Sequence, residues 1–250
     1  MQIRTVPFWA MTAVSFGTGA LDAATFLGMD EVFGANMTGN VILIAMSIAG
    51  EGSHSYLGPV MALGGFAAGS WLLGLIARRH AKASPVDPMV APVFAWCAVG
   101  MIAVMVALMV FPLEGFTLHA ATFSIGVLMG CQAIAARRVG VPDMSTVVIT
   151  STLSLLFAEA GTFRGGASDL ATSRRLAAVL SMFFGAICGA LLLKIALVAA
   201  LAVPSLILAA VAMVYVISAV QHGRRRRMAG PNSEAARNDR AGSDGAATVS

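Results

Sequence analysis

Apolar residues run along this chain in long stretches that short polar segments separate. About 20 consecutive apolar residues suffice for a helix to cross a bilayer. Six of the stretches are long enough to do so, whereas the second and the sixth are short, contain Thr, Ser or Asn, and are more typical of re-entrant or buried segments. The eight stretches are 6–27, 37–49, 57–77, 90–111, 118–136, 144–158, 175–197 and 203–220.

Composition places the chain among membrane proteins. Of 250 residues, 58% are hydrophobic and only 11% are charged, and the mean hydropathy is +0.84. Soluble domains average about 25% charged residues, so this sequence predicts an all-α, polytopic bundle of membrane helices with the lipid bilayer as partner and no nucleic-acid ligand.

The first apolar stretch follows Arg4 and in this respect resembles a signal peptide. However, Asp22 lies near any plausible cleavage point and further spans follow, which favours a retained helix.

The basic residues predict the topology. If both short stretches enter and leave the membrane on one side, 15 of the 16 Lys and Arg residues face the cytoplasm and the outer loops hold none. Lys194, the remaining one, then lies near the outer end of a span, where its long side chain can reach the interface. If all eight stretches span, the split falls to 10:5. The positive-inside rule therefore favours six full spans with both termini in the cytoplasm.

The two halves of the chain repeat one order of segments. Three matches occur in sequence: "SFGTGALDAATF" (15–26) with "SIGVLMGCQAIA" (124–135), "MTGN" (37–40) with "ITST" (149–152), and "GFAAG" (65–69) with "GAICG" (185–189). Their offsets are 109, 112 and 120 residues. With three full spans in each half, the halves run in opposite directions, so the sequence predicts a 3+3 inverted repeat.

The repeat divides the chain into a first membrane repeat (1–112), a second membrane repeat (113–222) and a tail (223–250). The tail is expected to be disordered, with Arg224–Arg227 near anionic headgroups. Gly-xxx-Gly pairs within the spans predict close helix approach, and the same faces would serve a homo-oligomer. These pairs are Gly65/Gly69, Gly126/Gly130 and Gly185/Gly189.

The densest uncharged polar cluster is "GANMTGN" (34–40), which precedes a short apolar stretch. It predicts non-helical backbone at membrane depth, which is tolerated only where protein or water satisfies it. Asn36, Thr38 and Asn40 either cap the following helix or coordinate a dehydrated solute. Asp22 lies eight residues before Asp30, hence roughly 12 Å below the outer boundary at 1.5 Å per residue. Its carboxylate either lines a pathway or forms a hydrogen bond to the broken backbone.

Three segments resemble the signature of the YoaK family of bacterial multi-pass membrane proteins: "GTGALDAATFLG", "VFGANMTGNVILI" and "GCQAIAARRVGVPDMSTVVITSTLS". The resemblance implies a bacterial plasma (inner) membrane location, but the family is a domain of unknown function and supplies no substrate. The chain departs from the family pattern at Ala133-Ile134, where relatives tend to have Asn-Ala after the Gln, and at Ser151, where they tend to have Gly. A weaker second half-site is therefore expected.

These patterns together predict a transporter or channel for a small polar solute, with a titrating Asp22 if transport is proton-coupled. A membrane scaffold or accessory protein is the alternative. An intramembrane enzyme would need a nucleophile–base pair or metal ligands, and the spans contain no His–Asp or Ser–Lys constellation, so no catalytic residue, metal or cofactor is expected. The predicted solute-binding residues are Asp22, Asn36, Thr38, Gly39, Asn40, Gln132, Thr146, Thr150 and Thr152.

Overall fold

The computed structural model describes residues 5–29, 31–50, 55–79, 87, 89–139, 154, 157 and 167–228. In these ranges the fold is all-α, as predicted, and contains seven helices. They are α1 (Thr5–Gly28), α2 (Met37–Ile48), α3 (Leu57–Arg78), α4 (Val90–Val110), α5 (Gly115–Val139), α6 (Ala167–Leu193) and α7 (Leu197–Met228).

Five helices of the described chain are long and apolar enough to cross a membrane: α3, α4, α5, most of α6 and the first 25 residues of α7. Their outward side chains are large and apolar, for example Trp71 and Phe116 at 68% and 88% exposure, as expected of a lipid-facing surface. The 24-residue α1 is not among the five, because Asp22 and its many Gly, Ser and Thr residues lower its hydropathy.

Most helix limits agree with the apolar stretches to within three residues, and α2 is the short helix predicted for 37–49. The last two helices differ. Helix α6 runs from Ala167 to Leu193 instead of 175–197, and α7 begins at Leu197 instead of 203 and carries Pro204 inside it. It also continues through Arg224–Arg227 to Met228, so the described helix includes the first residues of the predicted tail. The stretch predicted at 144–158 lies outside the described residues, apart from Ser154 and Phe157.

Glycines bring α3 and α5 into backbone contact. A Cβ on Gly65 or Gly69 of α3 would overlap the carbonyl oxygen of Phe123 or Val127 of α5. The packing is reciprocal, because a Cβ on Gly126 would meet the backbone of α3 at Ala62. The predicted close approach at these Gly-xxx-Gly pairs is confirmed.

The same kind of contact joins α1 to α6. A Cβ on Gly185 would overlap the carbonyl oxygen of Phe16, one on Gly189 that of Ala20, and one on Gly19 that of Met182. All three Gly-xxx-Gly faces are thus covered within a single chain. These contacts hold the helices of one chain together, and the homo-oligomer stays a prediction.

A polar contact ties the ends of three helices together. The Arg138 Nε at the end of α5 donates to Asp87 Oδ2 at 2.6 Å, and its Nη1 donates to the carbonyl oxygen of Ala77 in α3 at 2.9 Å. The other Asp87 oxygen accepts from the backbone N–H of Met89 at 2.9 Å, just before α4. The positive-inside pattern predicts that this cluster faces the cytoplasm.

Substituting Gly69 by Ala is expected to destabilise the fold. The new methyl group would overlap the Val127 carbonyl, so two helix backbones must separate, at a cost of about 1–3 kcal/mol. Gly64→Ala and Gly74→Ala are matched controls on α3, since a Cβ there meets nothing within 4 Å. They should stabilise slightly, by about 0.5–1 kcal/mol. Thermal unfolding in detergent measures all three, and a Gly69→Ala protein as stable as the controls would contradict the described packing.

Candidate functional site

One face of α1 is polar and buried. Ser15, Thr18, Asp22 and Thr25 follow the three- and four-residue spacing of a helix face and are all at most 5% exposed. Thr18 satisfies its hydroxyl by donating to the carbonyl oxygen of Val14 in its own helix. The carboxyl group of Asp22 has to find its partners elsewhere.

The backbone before α2 supplies partners for one oxygen of Asp22. Asp22 Oδ1 accepts from the backbone N–H of Ala35 at 2.7 Å and from that of Asn36 at 3.3 Å. The chain leaves α1 at its end and folds back to this depth before α2 begins. The predicted hydrogen bond between Asp22 and the non-helical backbone is therefore confirmed.

The second oxygen of Asp22 is in a different position. Asp22 Oδ2 is buried and has no hydrogen-bond partner among the described residues. A buried acceptor without a partner costs about 1–3 kcal/mol, and more if it is charged. This oxygen is thus the atom at the site that a bound group would satisfy.

Two further side chains hold the segment before α2 in place. Thr25 Oγ1 accepts from the backbone N–H of Gly34 at 3.0 Å and donates to the carbonyl oxygen of Leu21. Asn40 accepts from the backbone N–H of Phe33 at 2.9 Å and donates to the Phe33 carbonyl oxygen at 2.7 Å. Because Asn40 is 0% exposed and both ends of its amide are used, its role is to fix the loop.

The remaining residues of the "MTGN" cluster take separate positions. Asn36 is the N-cap residue of α2, but its side chain makes no capping hydrogen bond, so the capping alternative is wrong for this residue. Thr38 is exposed. Gly39 leaves room for the ring of Phe33, which a Cβ would overlap.

A cavity of about 310 Å³ lies between α1, α6 and the segment before α2. Asp22 and Asn36 are the polar residues of its wall, so the structure brings these two predicted residues together. The rings of Phe26 and Phe33 stack on each other with centroids 4.8 Å apart. The full lining is Gly19, Asp22, Ala23, Phe26, Leu27, Phe33, Asn36, Met182 and Ala186.

Several residues of the site were not predicted from the sequence. Thr25 had a signal, because it follows Asp22 by one helical turn and shares its face. Phe26 and Phe33 are unremarkable apolar residues in the sequence, and Met182 and Ala186 belong to the wall only because α6 packs against α1. No local pattern in the sequence indicates that contact.

Gln132 is the predicted residue of the second half that the structure describes, and it does not line this cavity. Gln132 is 3% exposed, and its Nε2 has no partner among the described residues. It lines a separate cavity of about 10 Å³ with Thr18 and Met129, which is the size of one water molecule. Thr146, Thr150 and Thr152 lie outside the described residues.

Comparison with known proteins gives the family. Residues 10–214 match the family described as "Protein of unknown function (DUF1275)". The chain belongs to the DUF1275 family. A curated relative, the UPF0700 transmembrane protein YoaK of Bacillus subtilis (strain 168), is 28% identical over 147 residues, which cover 55% of this chain and 60% of the relative. No solved structure matches the sequence.

The resemblance to the YoaK family is thus confirmed, and this DUF1275 protein is an integral membrane protein of a transmembrane family. The matched range of 10–214 contains Asp22, the segment that folds back to it and every residue of the 310 Å³ cavity wall. Gln132 also lies within it, whereas the basic cluster Arg224–Arg227 lies beyond it.

Proposed function

We propose that this DUF1275 protein carries a small polar solute across the bacterial inner membrane, as a transporter or channel. One observation carries the proposal: a buried carboxylate in the wall of a cavity binds the backbone before a short helix through one oxygen, while its other oxygen has no partner among the described residues. Carboxylates within membrane helices are costly, and they generally line solute or ion pathways.

A non-enzymatic role is part of this proposal. Asp22 is the one titratable residue in the lining of the 310 Å³ cavity. General acid–base and nucleophilic mechanisms use a reactive group together with a second group that activates it. The wall of this cavity offers one carboxylate, one amide and apolar side chains, which suits binding better than bond cleavage.

The helix contacts support the predicted inverted repeat. Gly65 packs on Phe123 as Gly185 packs on Phe16, and Gly126 packs on α3 as Gly19 packs on α6. The same shift of 120 positions carries the contact residues of α3 onto those of α6, and a shift of 107 carries those of α1 onto those of α5. In each half, therefore, one glycine-bearing helix (α3 or α6) packs against the first helix of the other half (α5 or α1).

The contacts favour a different register for the proposed repeat from that of the sequence alignment, which used an offset of 109 for the first span. With an offset of 107, Thr25 corresponds to Gln132 and Asp22 to Met129. The second half then has an amide at the position where Thr25 binds loop backbone, and it has Met129 in place of the carboxylate. The proposed site is therefore asymmetric, with a single charged half.

The direction of the helices bears on whether α2 spans. The contacts between α3 and α5 move toward the C-terminal end of both helices, from Gly65 with Phe123 to Gly69 with Val127. The two helices are therefore parallel, and their N-terminal ends lie on the same side of the bundle.

In contrast, α1 runs against α5. Leu21 and Ile125 both lie beside Gly34, while Thr18, nearer the start of α1, shares a cavity with Gln132, further along α5. The end of α1 is thus on the side where α5 and α3 begin. A chain segment that leaves α1 and enters α3 on one side supports a re-entrant α2 and six full spans.

Topology can be tested with single cysteines in a background without Cys97, Cys131 and Cys188. The charge pattern predicts that a membrane-impermeant thiol reagent added outside labels Ser53→Cys. It should not label Ser84→Cys or Ser168→Cys until the membrane is opened. Labelling of position 84 in intact cells would contradict the six-span arrangement, because the loop after α3 would then be external.

The transport proposal is tested in vesicles that contain the purified protein. Uptake of labelled probes is compared across three chemistries: an alkylammonium, a carboxylate and a neutral amide, with protein-free vesicles as control. Saturable, protein-dependent uptake of at least one probe is expected. Vesicles with correctly folded protein that match protein-free vesicles for every class would contradict the proposal and favour the scaffold alternative.

A further inference from the structure

The chemistry of the 310 Å³ cavity restricts the solute that it can hold. The carboxylate of Asp22 already accepts from the backbone N–H groups of Ala35 and Asn36, which lie just before α2, so negative charge is present where the start of a helix would attract an anion. An anionic solute would meet this carboxylate and be repelled. A solute that donates hydrogen bonds or carries positive charge would instead satisfy the free oxygen, Oδ2.

Aromatic residues form part of the same wall. The rings of Phe26 and Phe33 stack with an interplanar angle of 26°, and Gly39 provides the space that the Phe33 ring occupies. Aromatic faces attract organic cations, and they do so more strongly where water is excluded. Met182 adds a soft, adaptable apolar surface from α6.

Inorganic cations fit this wall less well. Ca²⁺ takes six to eight oxygen ligands and Mg²⁺ needs near-octahedral geometry. Among the residues of the lining, Asp22 and Asn36 are the two with side-chain oxygen atoms, and one carboxylate oxygen is already bound to backbone. The rest of the wall is apolar and would leave a bare metal ion without ligands.

We propose that the cavity binds a small organic cation of the alkylammonium class. The ammonium group lies against Asp22 Oδ2, and the alkyl part lies against Phe26, Phe33 and Met182. The volume of about 310 Å³ is at the lower end of the range for ligand pockets, which suits a cation of a few carbon atoms. This inference rests on the proposed function, since it takes the cavity to be the solute site.

A matched series of probes tests the charge preference. Purified protein in lipid nanodiscs is titrated with n-butylammonium, 1-butanol and butyrate, which share their alkyl chain and differ in the head group. Saturable binding of butylammonium by calorimetry is expected. Binding of the other two should be at least about tenfold weaker, because neither can form a hydrogen bond from a charged donor to Asp22. Equal binding of all three, or preference for butyrate, would overturn the proposal.

Two variants separate specific binding from general damage. Asp22→Asn should lose the preference for butylammonium over 1-butanol, and Phe26→Leu should weaken butylammonium binding about threefold or more through loss of the aromatic face. The controls are Glu114→Gln on the exposed loop after α4 and Phe116→Leu, which is 88% exposed. Unchanged selectivity in folded Asp22→Asn protein would overturn the site.

The outcomes distinguish failure of the cation site from failure of the transport proposal. Butylammonium binding without uptake of any probe into vesicles would leave the cation site and contradict transport. Uptake of a neutral amide with no binding of butylammonium would leave transport and overturn the cation class. Uptake and Asp22-dependent binding of butylammonium together would support both.

Discussion

Replacing Asp22 by Asn is expected to abolish solute uptake and to leave the fold intact. The amide has nearly the shape of the carboxylate, and its oxygen can still accept from the backbone N–H groups of Ala35 and Asn36. Its NH₂ group, however, stands where Oδ2 was, so an uncharged donor replaces a charged acceptor. Uptake by reconstituted vesicles should fall at least about tenfold, which corresponds to one lost charged hydrogen bond.

Two comparisons make this result specific to Asp22. Glu114→Gln removes the same charge from an exposed loop residue and should leave uptake unchanged. Asp22→Ala removes the acceptor as well, so it should lose uptake and also lower stability by about 1–3 kcal/mol for each backbone N–H left unpaired. An Asp22→Asn protein with normal uptake would show that the carboxylate is only a structural acceptor.

The second large effect is expected from Asn40→Leu. Leucine keeps the bulk of the side chain but leaves both the N–H and the carbonyl oxygen of Phe33 without the partners that Asn40 provides. Within the membrane, no water is available to form hydrogen bonds with unpaired backbone groups. At about 1–3 kcal/mol for each group, the loss should amount to several kcal/mol and should lower the amount of folded protein in the membrane.

Thr38→Val is the matched control, because Thr38 lies two residues away on the same helix and is exposed. It should change stability by no more than about 0.5 kcal/mol. Thermal unfolding and hydrogen exchange of the peptide that contains Phe33 measure both variants. Slow hydrogen exchange of the Phe33 amide in Asn40→Leu protein would contradict the role of the two hydrogen bonds between Asn40 and the Phe33 backbone.

The sequence predicted the helices well because their apolar content is so uniform. The start of α3 at Leu57 and of α4 at Val90 agree with the apolar stretches. The start of α7 was predicted too late, at 203 instead of Leu197, and the helix continues through Pro204, which a membrane helix tolerates when neighbouring groups satisfy the backbone. Here Pro204 packs against Gly17 of α1, a contact that no local pattern indicates.

The candidate site was predicted in part. Asp22 and Asn36 stood out because polar residues are rare in this chain, and both line one cavity. Asn40 binds the backbone of Phe33, whereas Asn36 lines the cavity. Which of the two amides reaches Phe33 depends on the folded path of the chain, so the sequence could not assign these roles. The first span of the proposed repeat can be aligned on Gly17 or on Gly19, and the helix contacts favour the alignment of Gly19 with Gly126, because each meets a carbonyl oxygen of the helix packed against it.

The packing of α1 on α6 has a consequence for biosynthesis. Gly185 and Gly189, which cover the glycine face of α1, are synthesised only after more than half of the chain has followed it. The hydrogen-bond partners of Asp22 arrive much sooner, since the backbone of Ala35 lies 13 residues further on. We therefore expect α1 and the segment before α2 to form a local unit at the translocon. In this unit the carboxylate of Asp22 is already bound to backbone, whereas the glycine face of α1 is covered only later, when α6 has been synthesised.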